Sequence, residues 1–272
     1  MKNIEISNFT IPYYDDVIID FINNNIRFHT IPLFLKSGST EFAPVGTGVL
    51  VFIYDVYCVF TSSHVTERMD DQKNLYFQCG PDNYIPCSET EDDPDCKTNS
   101  KYLGANHIIL DQESIDQLLA IGMRFLTIDK ILDNHDGLQS IQYAIFGYPT
   151  DLVEQQAQTA KTNGFLFISA MADEVPYDKY NYTKETHYIM PYTTPTDIGA
   201  GSKTKPKQLY GMSGSGLWYI SVTHELDKNV YDYHLIGIMH EYYLHKKIQF
   251  IVGNKINSII VQIQTDLSKS NL

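Results

Sequence analysis

Two short strings carry the residue types that nucleophilic chemistry needs. One is Thr61-Ser62-Ser63-His64-Val65, directly after an apolar run, and the other is Gly211-Met212-Ser213-Gly214-Ser215-Gly216. A serine hydroxyl is a weak nucleophile until a base takes its proton, and histidine titrates close to working pH. A serine set among glycines on a tight turn can expose its hydroxyl while backbone N–H groups point the same way. The N–H groups of Gly211 and Ser213 then form an oxyanion hole. A Gly/Ser-rich turn alone is usually a turn, and one histidine after a strand is usually structural. Together the two strings point to acyl transfer on Ser213 with His64 as base.

The elements around these strings are mainly strands. Arg27–Leu35, Gly48–Ile53 and Tyr57–Thr61 are short, rich in Val, Ile, Phe and Tyr, and separated by turn residues. Gln142–Phe146, Gly164–Ser169, His187–Tyr192, Trp218–Val222, His234–Met239 and Ile248–Val252 read the same way. Helices are expected over Tyr14–Asn24, over Asp111–Ile121 with Asp111 as N-cap and Gly122 as stop, and over Lys255–Leu267. Many short strands with few helices predict a mostly β barrel or sandwich.

Composition narrows the function classes. The 272 residues carry a formal charge of −13, which argues against a nucleic-acid binder. No apolar run reaches a membrane span and no secretory leader is visible, so a soluble, cytoplasmic protein is expected. Cys58 lies in an apolar run and packs as a small hydrophobe; Cys79, Cys87 and Cys96 lie in or beside a polar loop. No C-x-x-C pair exists, so reduced, unlinked thiols are expected ahead of zinc, with no metal and no cofactor. Ser88–Asp95 reads as a solvated acidic loop without calcium-ligand spacing.

Taken in order, TSSHV and GMSGSG resemble the trypsin-like (chymotrypsin-fold) serine peptidases, closest in style to bacterial intracellular members. Gly46-Thr47-Gly48-Val49 and Thr61–Val65 resemble the G-S-G and T-A-A-H elements of that family. Ile145–Pro149 looks like its midpoint strand, Leu235–Ile238 like the strand after the nucleophile, and the isoleucine-rich tail like its C-terminal helix. The match runs from about Arg27 to Leu267. The resemblance implies two six-stranded antiparallel β-barrels with the site between them. An N-terminal helical extension would cover residues 1–26, a barrel carrying His64 residues 27–135, and a barrel carrying Ser213 plus the C-terminal helix residues 136–272. It also implies His64 as general base, Ser213 as nucleophile, and Gly211 and Ser213 as oxyanion donors.

The family's third member is an aspartate, and the matching stretch Leu103–Asp111 puts either Gly104 or Asn106 in its place. Asn106 would orient the imidazole without stabilising its positive charge; in a Ser-His-Asp triad an aspartate-to-asparagine change lowers turnover about 10⁴-fold. Glu241 substitutes only if the fold brings it to His64, and Asp111 is better read as a helix cap. Lys207 and His240 fall near the family's primary pocket, implying preference for Glu, Asp or Gln, against a plain reading as a surface lysine and a packed histidine. Met212 replaces the aspartate that pairs with a newly cut N-terminus, so activation by cleavage is not expected. The expected partners are a protein or peptide substrate and a regulatory protein. An endopeptidase cleaving a specific intracellular protein is set against a pseudo-protease, or partner-gated module, that keeps the fold to bind.

Overall fold

The computed structural model describes residues 16–37, 41–67, 75–80, 83–87, 104–135, 141–156, 159–169, 177–192, 208–225, 228–245 and 248–270. The chain is mostly β. Strands β1 (Thr30–Ser37), β2 (Glu41–Ile53), β3 (Val56–Ser62), β4 (Leu75–Gly80), β5 (Asn83–Pro86) and β6 (Ala105–Ile109) form one antiparallel sheet in the order β5-β4-β1-β2-β3-β6. The two-residue β7 (Leu126–Thr127) joins it in parallel with β2. The second sheet holds β8 (Ile141–Gly147), β11 (Phe165–Ser169), β12 (His187–Pro191), β13 (Gly216–Glu225), β14 (Lys228–His245) and β15 (Ile248–Lys255), in the order β11-β8-β13-β14-β15-β12. A separate hairpin pairs β9 (Val153–Gln156) with β10 (Thr159–Thr162). Among the described residues the two sheets hold seven and six strands, where the family resemblance implied two six-stranded barrels.

Both faces of the central strands are buried. Val49, Val51, Cys58 and Phe60 share one apolar cluster with Trp218, Ile220 and Leu235 of the second sheet. Leu50 and Val59, on the opposite face, pack with Leu33, Phe77 and Ile108. Leu217, Tyr219 and Ile236 turn to a third cluster within the second sheet. Alternate side chains thus enter different cores, which is why these strands read as unbroken apolar runs.

Four α-helices lie among the described residues. α1 (Asp16–Asn24) buries Ile18 and Ile22 against the shared core, with the Phe21 ring tilted against Tyr231 at a centroid distance of 5.4 Å. α2 (Ser63–Thr66) is a single turn at the end of β3. α3 (Gln112–Ala120) is capped by Asp111, whose carboxylate accepts the Ser114 N–H at 2.7 Å, and it stops at Gly122 with φ +85°. α4 (Ile256–Ser270) buries Ile256, Ile259 and Ile263 in the shared core. No helix among the described residues is long and apolar enough to cross a membrane.

Candidate active site

β3 delivers His64. Its last residues pair with β6 in the register Thr61↔Asn106 and Ser62↔Ala105, and the Ser63 N–H donates to the Gly104 carbonyl at 3.2 Å. The chain then turns into α2, which carries His64 half-buried beside the fully buried Val65. The Nδ1 of His64 lies 2.8 Å from the Ser62 hydroxyl, and that hydroxyl donates to the Gly104 carbonyl at 3.1 Å.

The second string forms a turn ahead of β13. Gly211 and Gly214 take φ values of +87° and +90°, in the left-handed region that costs any side chain about 1–2 kcal/mol. Space is also closed at Gly214, where a Cβ would lie 1.9 Å from the Thr47 carbonyl oxygen. The turn's N–H groups divide into two kinds. Met212 donates to Leu209, Gly214 to Met239 and Ser215 to Met212. The N–H groups of Gly211 and Ser213 have no acceptor among the described residues.

Thr47 of β2 fastens this turn to the first sheet. Its N–H donates to the Ser213 carbonyl at 2.8 Å, and its hydroxyl donates to the Gly211 carbonyl at 2.7 Å while accepting the Tyr148 N–H at 3.0 Å. Thr61 donates its hydroxyl to the Thr47 carbonyl at 2.8 Å. At Gly46 a Cβ would sit 2.7 Å from Val65 Cγ2 and 3.1 Å from the Ser213 carbonyl oxygen. The segments carrying His64 and Ser213 therefore flank the same two residues of β2. Ser213 itself is 8% exposed.

The remaining predicted residues are spread more widely. Asn106 is buried, donates to the Thr66 hydroxyl at 2.8 Å, and accepts the His107 N–H and the Gln262 amide. Among the described residues Ser62 meets His64 Nδ1, while Asn106, expected to orient the ring, lies opposite Thr61 and donates to Thr66. Gly104 sits at the other expected position, with φ +68° and a Cβ direction blocked by Asn254 Oδ1 at 2.7 Å and His240 Cγ at 3.0 Å. Glu241 is exposed and accepts the Tyr182 hydroxyl at 2.5 Å.

His240 is the bulged residue of β14, skipped in the register between Met239 and Glu241. Its ring lies over Gly104, with ring centroids 5.9 Å from His187 and 6.1 Å from Tyr182. Burial lowers its pKa to about 4, Glu241 opposes that, and the neighbouring His187 and His64 add to it. His240 is thus neutral near neutral pH. Lys207, Ser88–Asp95 and Cys96 lie outside the described residues. Cys58, Cys79 and Cys87 are free thiols, and burial pushes the Cys79 pKa up to about 12. Among the described residues no group of three or more His, Cys, Asp or Glu is arranged to hold a metal ion.

Ser62 and Thr47 are the two residues that sequence reasoning missed. Ser62 had a visible signal, since it places a hydroxyl where T-A-A-H carries a methyl. No protein-family model and no curated protein matches the sequence. Among solved structures, the chain is similar to neuropsin, a serine protease expressed in the limbic system of mouse brain. The identity is 16%, the match covers 88% of this chain and 94% of that chain, and the TM-score is 0.49.

Proposed function

We propose that the protein is a serine peptidase of trypsin-like, double-barrel fold that cleaves a protein or peptide through an acyl-enzyme on Ser213. His64 takes the Ser213 proton through Nε2, and the carbonyl oxygen of the scissile bond gathers its negative charge against the N–H groups of Gly211 and Ser213. His64 then returns the proton to the leaving amine, and water repeats the sequence to free the acid. The observation that carries this reading is the turn itself. Two left-handed glycines bracket Ser213, Thr47 ties its Gly211 and Ser213 carbonyls to β2, and the two N–H groups needed for an oxyanion have no acceptor among the described residues.

A cytoplasmic location accords with the free thiols at Cys58, Cys79 and Cys87. A resemblance in style to bacterial intracellular peptidases, and a preference set by Lys207 and His240, belong to the same proposal. The competing reading, a pseudo-protease that binds a regulatory partner, draws on one observation: the group at His64 Nδ1 is a hydroxyl and carries no charge. A fluorophosphonate probe separates the two. Labelling that maps to Ser213 and vanishes in Ser213→Ala supports the peptidase; a folded wild type that stays unlabelled supports the binding module.

A further inference from the structure

We propose that Ser62 is the positioning residue of His64, filling with a hydroxyl the place that an acid fills in a Ser-His-Asp triad. The proposal rests on the peptidase reading for its catalytic meaning, but the proton arrangement it assigns is a property of the folded chain alone. The Ser62 hydroxyl has one proton and two close neighbours, the Gly104 carbonyl at 3.1 Å and His64 Nδ1 at 2.8 Å. A carbonyl can only accept, so the bond to Gly104 uses the hydroxyl proton. Nδ1 must then be the donor, and the order is Nδ1–H to Ser62 Oγ and Ser62 Oγ–H to the Gly104 carbonyl. The opposite order would leave two oxygens facing each other at 3.1 Å in a site where Ser62 is fully buried.

A proton held on Nδ1 leaves Nε2 unprotonated, which is the tautomer a general base requires. When Ser213 Oγ attacks, its proton moves to Nε2 and the ring becomes positive. Nδ1–H keeps its bond to Ser62, whose dipole is held in line by the Gly104 carbonyl and is strengthened by it. No proton leaves the relay. Backbone geometry fixes each part: the Ser62↔Ala105 pairing and the Ser63 N–H bond to Gly104 hold that carbonyl beside the end of β3.

The test is nitrogen NMR of the His64 ring in full-length protein at a pH where the ring is neutral, with fluorophosphonate labelling of wild type, Ser62→Ala and Ser62→Thr. In the labelling reaction the Ser213 Oγ–P bond forms, the P–F bond breaks, fluoride leaves and the proton goes to His64. The wild-type ring is expected to carry its proton on Nδ1, and Ser62→Ala to shift it toward Nε2. Labelling of folded Ser62→Ala is expected to be about tenfold slower, equal to about 1.4 kcal/mol or one hydrogen bond. Ser62→Thr, which keeps the hydroxyl, should restore both. A wild-type proton on Nε2 overturns the proposal, whether or not any variant folds. An unchanged tautomer in Ser62→Ala overturns it as well. Absence of wild-type labelling with the proton on Nδ1 overturns the peptidase reading and leaves the Ser62 assignment standing.

Discussion

Thr47→Val tests how the Ser213 turn is held. Valine copies the shape of threonine and removes only the hydroxyl. That hydroxyl donates to the Gly211 carbonyl at 2.7 Å and accepts the Tyr148 N–H at 3.0 Å, inside a residue with no solvent exposure. A buried group left without its partner costs about 1–3 kcal/mol. Two such groups, partly relieved by movement of the turn, set an expected loss of about 2–4 kcal/mol. Thr47→Ser loses one methyl group and should cost about 1 kcal/mol. Urea unfolding measures both, with an unchanged slope showing that only stability moved. The Gly211 peptide loses an anchor in Thr47→Val, so Ser213 labelling in the folded fraction should also slow by at least about tenfold, short of the roughly 10²–10³ lost when an oxyanion donor is removed outright. Valine within about 0.5 kcal/mol of wild type, or serine as damaging as valine, would refute the reasoning, since surface-like tolerance is of that size.

Four further outcomes are expected. Gly214→Ala forces a Cβ to 1.9 Å from the Thr47 oxygen at φ +90°, and should lower stability by at least about 3 kcal/mol; an unfolding midpoint equal to wild type would contradict this. Asn106→Asp places its carboxylate toward Thr66 and Gln262, so Ser213 labelling should gain no speed; a clear acceleration would return Asn106 to the site. Asp111→Ala should cost about 1 kcal/mol in urea unfolding by removing the cap on α3, and no loss would mean that water replaces it. His29, buried between the Arg124 carbonyl and the Tyr233 hydroxyl, has its pKa lowered by burial to about 4. Between about pH 6.5 and pH 4 the unfolded chain therefore takes a proton that the folded one refuses, and stability falls as pH falls, by up to about 3 kcal/mol. His29→Gln should reduce the slope of the urea midpoint against pH without abolishing it, because His240 titrates in the same direction; an unchanged slope would sink the assignment.

Local chemistry was legible in the sequence, and long-range placement was not. The Asp111 cap, the Gly122 stop and the isoleucine spacing of α4 depend on neighbours within a few residues, and each appears where it was expected. β4 and β5 went unread because their partners come from distant chain, such as Leu33 opposite Phe77, and a short edge strand has little pattern of its own. β14 was expected to end at Met239, where the polar pair His240-Glu241 begins. It continues to His245 because a bulge absorbs His240 and the ladder resumes at Glu241. The two site strings were visible for the same reason as the caps. The Ser62 contact is local, two residues from His64, whereas the placement of Asn106 was hidden in the β3–β6 register, where a slip of one residue reverses every side chain.

The register also explains why an acid is not simply missing from a vacant position. A side chain on Gly104 would need a left-handed backbone at φ +68° and would run into Asn254 Oδ1 and His240. Among the described residues, Asn254 Oδ1 and His240 Nε2 are buried without a hydrogen-bond partner, so this side of His64 already carries unsatisfied polar groups. A carboxylate placed there would crowd Asn254 Oδ1, and His240, its pKa lowered by burial to about 4, would offer it no positive charge near neutral pH. Among the described residues, the groups that meet this side of His64 are neutral: the Ser62 hydroxyl, the Gly104 carbonyl behind it and the uncharged His240 imidazole. Neutral surroundings can fix a tautomer, because that takes only one acceptor in the right place. They stabilise the positive ring less than a carboxylate does, so the gain they offer lies in orientation rather than in charge.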